Sequence, residues 1–207
     1  MMRLGSIPTN APAVQAGDGG LTPTPRLQVL PCDLTTATAA VEMYHYSRST
    51  FGVTASACFQ VILAGHRLVG AAIFGRPAAY NVERKYAQGD PLLELRRFCL
   101  SDELPRNSES HVLGVMLRAL KRTTRWVLSY ADPAWGHTGV IYRATGFAYL
   151  GTTAKRTYYE WRGRRYPDRN LHQTKFPFHR ELRRAVAAGE AVPVAVAGKH
   201  IYLKDLW

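Results

Sequence analysis

The chain is short of acidic residues, of paired cysteines and of long apolar runs, and each shortage excludes a class of protein. Only 15 Asp and Glu stand against 27 Lys and Arg, a formal net charge of +12. That balance favours association with a polyanion, nucleic acid first. A basic surface that serves only solubility is the plain alternative. Three cysteines, Cys32, Cys58 and Cys99, form no C-x-x-C pair, so reduced thiols are expected rather than a disulfide framework or a zinc cluster. No run approaches the ~20 apolar residues of a membrane helix, and the N-terminus lacks a signal-peptide core, so no membrane partner and a cytoplasmic location are expected. No internal repeat is present.

What the sequence does have is 207 residues, 46% of them hydrophobic, enough for one good core. Residues 1–26, rich in Gly, Pro, Thr and Asn, read as a flexible arm. Residues 27–207 read as a single domain, with 154–207 a basic, aromatic-rich part within it. A first strand is expected from Leu27, then a helix capped by Thr35 or Thr36 on which Ala39, Met43 and Tyr46 share a face. That helix ends at HYSRSTFG, where His45, Tyr46 and Arg48 sit in one loop. His45 is either part of a site or an ordinary histidine complementing the helix dipole. CFQVILA and RLVGAAIFG read as a hairpin turning at Gly65-His66, and residues 76–91 as a loop or short helix.

The stretch 92–151 organises the rest. In LLELRRFCL the apolar alternation slips by one residue at Arg96-Arg97, the signature of a β-bulge that aims Arg96 or Arg97 into a site. LPRNSES then opens a helix with Asn107 or Ser108 as N-cap and a buried stripe at Leu113, Met116, Leu117 and Leu120. Its first turn either caps itself or receives an anion through Arg106, Asn107 and Ser108. WVLSYA is a buried strand that delivers Tyr130 and Asp132 at its carboxyl end, where open α/β sheets bind ligands. A short helix carrying Tyr142 follows, then the strand FAYLGTT. Residues 155–184 interleave basic side chains, Arg162, Arg164, Arg165 and Lys175 among them, with Tyr158, Tyr159, Trp161, Tyr166, Phe176 and Phe178, a mixture suited to phosphate contacts and base stacking. A solvated basic hairpin is the other reading. A short helix, PFHRELRRAVAAGE, and a last strand, KHIYLKDLW, close the chain.

Bulged strand, helix, strand and a helix with a tyrosine before Arg-x-x-Gly-Phe resemble the GNAT acyltransferase superfamily. The resemblance implies an α/β fold with a central mixed, bulged sheet flanked by helices and extended by the basic C-terminal part. It also implies Tyr142 as the acid that protonates a departing thiolate. The superfamily's Gln/Arg-x-x-Gly-x-Gly/Ala phosphate loop is replaced by DELPRNSES, so acetyl-coenzyme A is not the expected cofactor. HYS, LPRNSES and SYADPAWGHTGVIYRATGFAYLG are similar to the Mom family of phage DNA-modification proteins. That likeness implies a transferase that converts adenine in double-stranded DNA to N6-carbamoylmethyladenine and protects it from host restriction. His45, Tyr46, Arg97, Ser110, Tyr130 and Asp132 would lie in or around its site. The donor would be an acyl or glycine-derived small molecule, and iron, associated with the family, would make His45 and Asp132 possible ligands. Adenine would be flipped into a pocket, with Asp132 taking the N6 proton, Tyr46 or Tyr130 stacking, and Arg97 holding the donor. The rival readings are a coenzyme A-dependent N-acetyltransferase acting on protein, RNA or a small amine, and a non-catalytic DNA-binding protein on the same scaffold.

Overall fold

The computed structural model describes residues 14–15, 26–77, 79 and 81–207. The expected arm therefore falls outside the described residues except at its end and at Val14–Gln15 (β1), which pairs antiparallel with β2, Leu27–Cys32. Next come α1 (Leu34–Tyr44), β3 (Ala57–Leu63), β4 (Arg67–Gly75), α2 (Asn81–Tyr86), β5 (Leu92–Leu100), α3 (Ser108–Leu120) and β6 (Trp126–Ala131). A 3-10 turn at Pro133–Trp135, α4 (Val140–Ala144) and β7 (Ala148–Thr152) follow. The chain continues with β8 (Arg156–Trp161), β9 (Arg164–Pro167), a 3-10 turn at Asp168–His172, α5 (Pro177–Ala187), β10 (Val192–Val196) and β11 (His200–Asp205). One sheet runs β1-β2-β3-β4-β5-β6-β11-β7, and a second runs β10-β8-β9. The last strand thus enters between β6 and β7, a long-range placement that no local pattern announces.

The chain divides into two compact units. The first comprises the described residues up to Tyr130, together with Gly139–Tyr149 and Tyr202–Trp207; the second comprises Ala131–Thr138 and Leu150–Ile201. In the first unit, α1 starts two or three residues earlier than Thr35 or Thr36 would put it, because the Asp33 carboxylate accepts the Thr36 N–H at 2.7 Å and is the N-cap. Its buried face is also not the expected one. Ala37, Ala40 and Val41 pack on Cys58, Ala71, Ile73 and Cys99, while Met43 and Tyr46 stand outside at 58% and 42% exposure. Small side chains at i, i+3 and i+4 let the helix approach the strands closely, and a Met43 face would hold it off. The Leu113, Met116, Leu117 and Leu120 stripe of α3 is buried as the sequence predicts.

Two features of β5 position the site. The antiparallel register with β4 pairs Ile73 with Arg97 but Phe74 with Leu95, so Arg96 is the extra residue of a bulge. On its other side β5 pairs parallel with β6 only through Leu92, Leu93 and Glu94, opposite Trp126, Val127 and Leu128. Beyond Glu94 and Leu128 the pairing ends, so Arg96, Arg97, Ser129 and Tyr130 lie past the last paired residues of the two strands.

In the second unit α5 covers the β10-β8-β9 sheet, with Trp161, Leu182, Ala185 and Ala191 as core and Tyr159, Tyr166 and Leu171 against it. Half of the aromatics expected to stack on bases are thus core. At 6% exposure Trp161 is unavailable to a base, since an isolated three-stranded sheet needs an apolar face covered to be stable. The Arg183 guanidinium donates to the carbonyls of Leu171 and Gln173 at 3.0 and 2.8 Å and ties the 3-10 turn to α5.

Candidate functional site

The first unit gathers one group of candidate residues. Tyr44 ends α1, and the chain leaves through His45, whose N–H still bonds the Val41 carbonyl at 3.0 Å. The buried His45 ring accepts the Ser47 N–H at Nδ1, 3.0 Å, with Ser47 Oγ 2.8 Å away. The Ser47 N–H and hydroxyl at Nδ1 fix the ring against the loop that it opens. Its neighbour Tyr46 lies 4.2 Å from it, centroid to centroid, and is half exposed.

Arg97, re-aimed by the bulge, reaches this same loop. Its Nε donates to the Ser49 carbonyl at 2.9 Å and an Nη to the Arg96 carbonyl at 2.7 Å. Burial pulls its pKa down and Arg96 adds to this, while Tyr46 and Glu94 hold the charge in place. Tyr142, from α4, completes the group. Its ring packs against Phe147 and Tyr202 at 5.5 and 5.2 Å, and burial pushes its phenol up to about 12, with Tyr46, Glu109 and Tyr202 adding to the rise. Ser129 Oγ lies close enough to moderate that rise but makes no hydrogen bond of ordinary geometry and is buried without a partner. Gly139 makes the approach of α4 possible: φ is +74°, and a Cβ there would collide with the Tyr202 ring.

Tyr130 faces elsewhere. Adjacent residues of a strand point to opposite faces, so with Ser129 toward Tyr142, Tyr130 turns to Glu94, Tyr86 and Arg96. Burial first, and then Glu94 and Tyr86, raise its pKa to about 12. Glu94 and Arg96, both 12% exposed, form an ion pair at 3.7 Å. At the start of α3 Asn107 adopts the left-handed conformation (φ 69°) without a side-chain cap, Ser108 Oγ is buried and unpartnered, and Ser110 Oγ bonds the Asn107 carbonyl at 3.0 Å. Arg106 is exposed. A groove of about 450 Å³ runs along α3 from Ser110 and His111 past Arg118 and Lys121, with Thr145 and Lys204 opposite.

In the second unit Asp132 uses both oxygens. One caps the 3-10 turn by accepting the Ala134 N–H at 3.1 Å, and the other pairs with Lys199 Nζ at 2.9 Å. Burial by itself would raise its pKa, but the Lys199 hydrogen bond and charge, the Ala134 N–H and the Arg156 charge outweigh it and hold the carboxyl below its ordinary value. The β8–β9 hairpin turns through Arg162 (φ 50°) and Gly163 (φ 70°), a type I′ turn. Arg162 stacks 4.1 Å over Trp161 and pairs with Glu181 at 3.3 Å, and Arg165 pairs with Glu160 at 2.8 Å. Lys175 lies over the Phe176 ring at 5.4 Å.

The chain matches the model of the Mom protein family over residues 26–206. The chain belongs to this family. A curated relative, the methylcarbamoylase mom of Escherichia phage Mu, is 30% identical over 156 residues, 72% of this chain. The chain spans 63% of that relative's length. Solved structures share the fold: an acetyltransferase of Bacillus subtilis in complex with CoA has 9% identity and a TM-score of 0.50, covering 88% of this chain and 100% of its own. The Escherichia coli ribosomal-protein-S18-alanine N-acetyltransferase has 12% identity and a TM-score of 0.50, covering 87% and 94%. The central mixed, bulged sheet flanked by helices is therefore the GNAT-type fold in this family.

Of the residues singled out from the sequence, the structure brings His45, Tyr46, Arg97 and Tyr142 into one group. It leaves Tyr130 on the Glu94–Arg96 side, puts Ser110 in the α3 groove, and assigns Asp132 to the second unit. Glu94, Glu109, Ser129 and Tyr202 were missed, since each sits on an ordinary strand or helix pattern and only the long-range packing sets it beside the others. The iron expectation finds no donor set. No cluster of three or more His, Cys, Asp or Glu able to hold a metal occurs among the described residues. Burial raises Cys32 to about 12 and Cys58 and Cys99 to about 11, so these thiols are inert. No helix among the described residues is long and apolar enough to cross a membrane.

Proposed function

We propose that the chain is a DNA-modification transferase that converts adenine in double-stranded DNA to N6-carbamoylmethyladenine, acting in the host cytoplasm to shield phage DNA from restriction. The observation that carries this reading is the family match over residues 26–206 together with the 30% identity to the methylcarbamoylase of phage Mu. The reaction forms a bond between N6 and the methylene carbon of the donor. N6 gives up its proton to water, and the donor's leaving group departs with the bonding electrons and takes a proton in turn. Inside a duplex N6 is weakly nucleophilic and out of reach, so the base is extruded first.

The half-exposed Tyr46 ring is the stacking platform for that base, and the half-buried, charged Arg97 holds the carbonyl or carboxylate of the donor. Tyr142, protonated at any physiological pH, gives a proton to the leaving group and cannot take one from N6. The cations of the α3 groove, with Ser110 and the Arg106-Asn107-Ser108 turn at its head, accept the donor's far end. Asp132 is a poor base while Lys199 holds it, so we assign it to ordering the turn it caps. Arg162, Arg164, Arg165 and Lys175 contact phosphates.

The rival coenzyme A-dependent acetyltransferase draws support from the fold. The neighbour from Bacillus subtilis is in complex with CoA, and one from Salmonella typhimurium has acetyl-CoA as cofactor. Against it, the α3 turn lacks the glycines that let backbone close on a pyrophosphate. Mass spectrometry of nucleosides from DNA of cells expressing the chain separates the readings. We expect deoxyadenosine carrying a carbamoylmethyl group. Unmodified DNA alongside an acetylated protein, RNA or amine would replace our reading with the rival one, and no product of either kind would leave a non-catalytic DNA-binding protein.

A further inference from the structure

The most exposed large apolar side chain among the described residues is Phe51, 90% accessible. It rides at the tip of a turn closed by the Val53 N–H on the Thr50 carbonyl at 3.0 Å, with Gly52 at φ +71°. This tip is braced rather than loose. Thr50 Oγ1 meets Thr38 Oγ1 of α1 at 3.2 Å, the Phe51 N–H donates to Ser49 Oγ at 3.1 Å, and Val53 packs into the α1–sheet core. Arg97 grips the Ser49 carbonyl. A single exposed aromatic is ordinary in itself; what singles out Phe51 is that its mount is fixed by these bonds and joined through Ser49 to Arg97.

The surroundings say which partner. Residues 45–53 contain no acid, and they offer Arg48 and the hydroxyls of Tyr46, Ser47, Ser49 and Thr50, groups that suit phosphate oxygens. Phe51 is two residues from the carbonyl held by Arg97, a span of at most about 7 Å. An aromatic so placed would enter a base stack while the base beside it reaches the Tyr46–Arg97–Tyr142 group. Apolar wedges of this kind unstack a step of the duplex and stabilise an extruded nucleotide.

We infer that the 50–53 turn is a wedge for duplex DNA, and that Phe51 occupies the gap left in the stack when adenine is drawn out. The inference rests on the proposed adenine modification. Permanganate, which oxidises thymines that have lost their stacking, tests it without knowledge of the donor or of the target sequence. A phage DNA fragment is saturated with the purified full chain, occupancy is confirmed by gel shift, and reactive thymines are mapped by primer extension. Parallel cultures expressing each variant are scored for modified adenine.

With the parent chain, thymines become reactive. At equal occupancy Phe51→Ala lowers that reactivity and the modified-adenine yield by roughly tenfold or more, Phe51→Leu restores most of both, and neither variant changes the melting temperature. A parent chain that modifies adenine while Phe51→Ala matches it in both readouts overturns the wedge and leaves the proposed function standing. A parent chain that yields no modified adenine and no reactive thymine overturns both. A parent chain that sediments as a dimer, with Phe51→Ala a monomer at the same concentration, gives the turn to a second copy of the chain and likewise overturns the wedge.

Discussion

At the scale of single residues, Tyr142 and Asp132 differ in what their surroundings do to a proton. Burial holds the Tyr142 phenol near 12, so it is a proton donor throughout the working range. Tyr142→Phe keeps the ring packing on Phe147 and Tyr202 and removes only the hydroxyl. We expect modified adenine to fall by about 10²–10⁴-fold with the melting temperature nearly unchanged, and the parent's rate to show no inflection from this group below about pH 11. An unaltered rate removes Tyr142 from the chemistry. Asp132 runs the other way, its pKa depressed by Lys199, the Ala134 N–H and Arg156 against the opposing effect of burial. A carboxyl depressed in the folded state stabilises above its unfolded value near 4, and that stabilisation is lost as pH falls through the folded value. Asp132→Asn still caps the turn but leaves Lys199 without its charge partner, which costs roughly 1.5–3 kcal/mol at neutral pH. Urea unfolding at pH 7 and at acid pH checks this: the gap between parent and variant should narrow as pH falls, and a gap that does not change with pH refutes the ion pair as its source.

At the scale of elements, the β8–β9 hairpin divides its arginines. Arg162 and Arg165 already have acidic partners in Glu181 and Glu160, whereas Arg164 makes no ion pair among the described residues. Counterion release counts only phosphates newly neutralised. Arg164→Ala should therefore lower the slope of log affinity against log salt by about one, and Arg165→Ala by clearly less. Equal slopes for both variants and the parent would move the phosphate contacts off this hairpin. The same element explains why the aromatic count of 155–184 overstates its stacking capacity. Trp161 and Tyr166 have α5 to cover them, and that burial is what lets a three-stranded sheet persist.

At the scale of the whole molecule, the +12 charge suits a polyanion, whereas a likeness of fold names no ligand. The helix α3 begins at a left-handed Asn107 beside the buried, unpartnered Ser108. Calorimetric titration with acetyl-coenzyme A should give no tight binding, and a low-micromolar isotherm would return the chain to acetyl transfer. The sequence by itself determined the bulge at Arg96-Arg97, the buried stripe of α3 and the family, because a slip in alternation, a 3.6-residue period and long motifs such as LPRNSES are local. Tertiary structure alone decided the rest. Which face α1 buries depends on how closely a helix fits onto β3 and β4. The second unit's sheet depends on β10 finding β8 across some thirty residues. That Asp132 pairs with Lys199, far along the chain, while its other oxygen caps the turn, is likewise absent from any local pattern. Contacts between distant residues leave no periodic trace in a sequence, and those contacts set the faces, partners and proton affinities at this site.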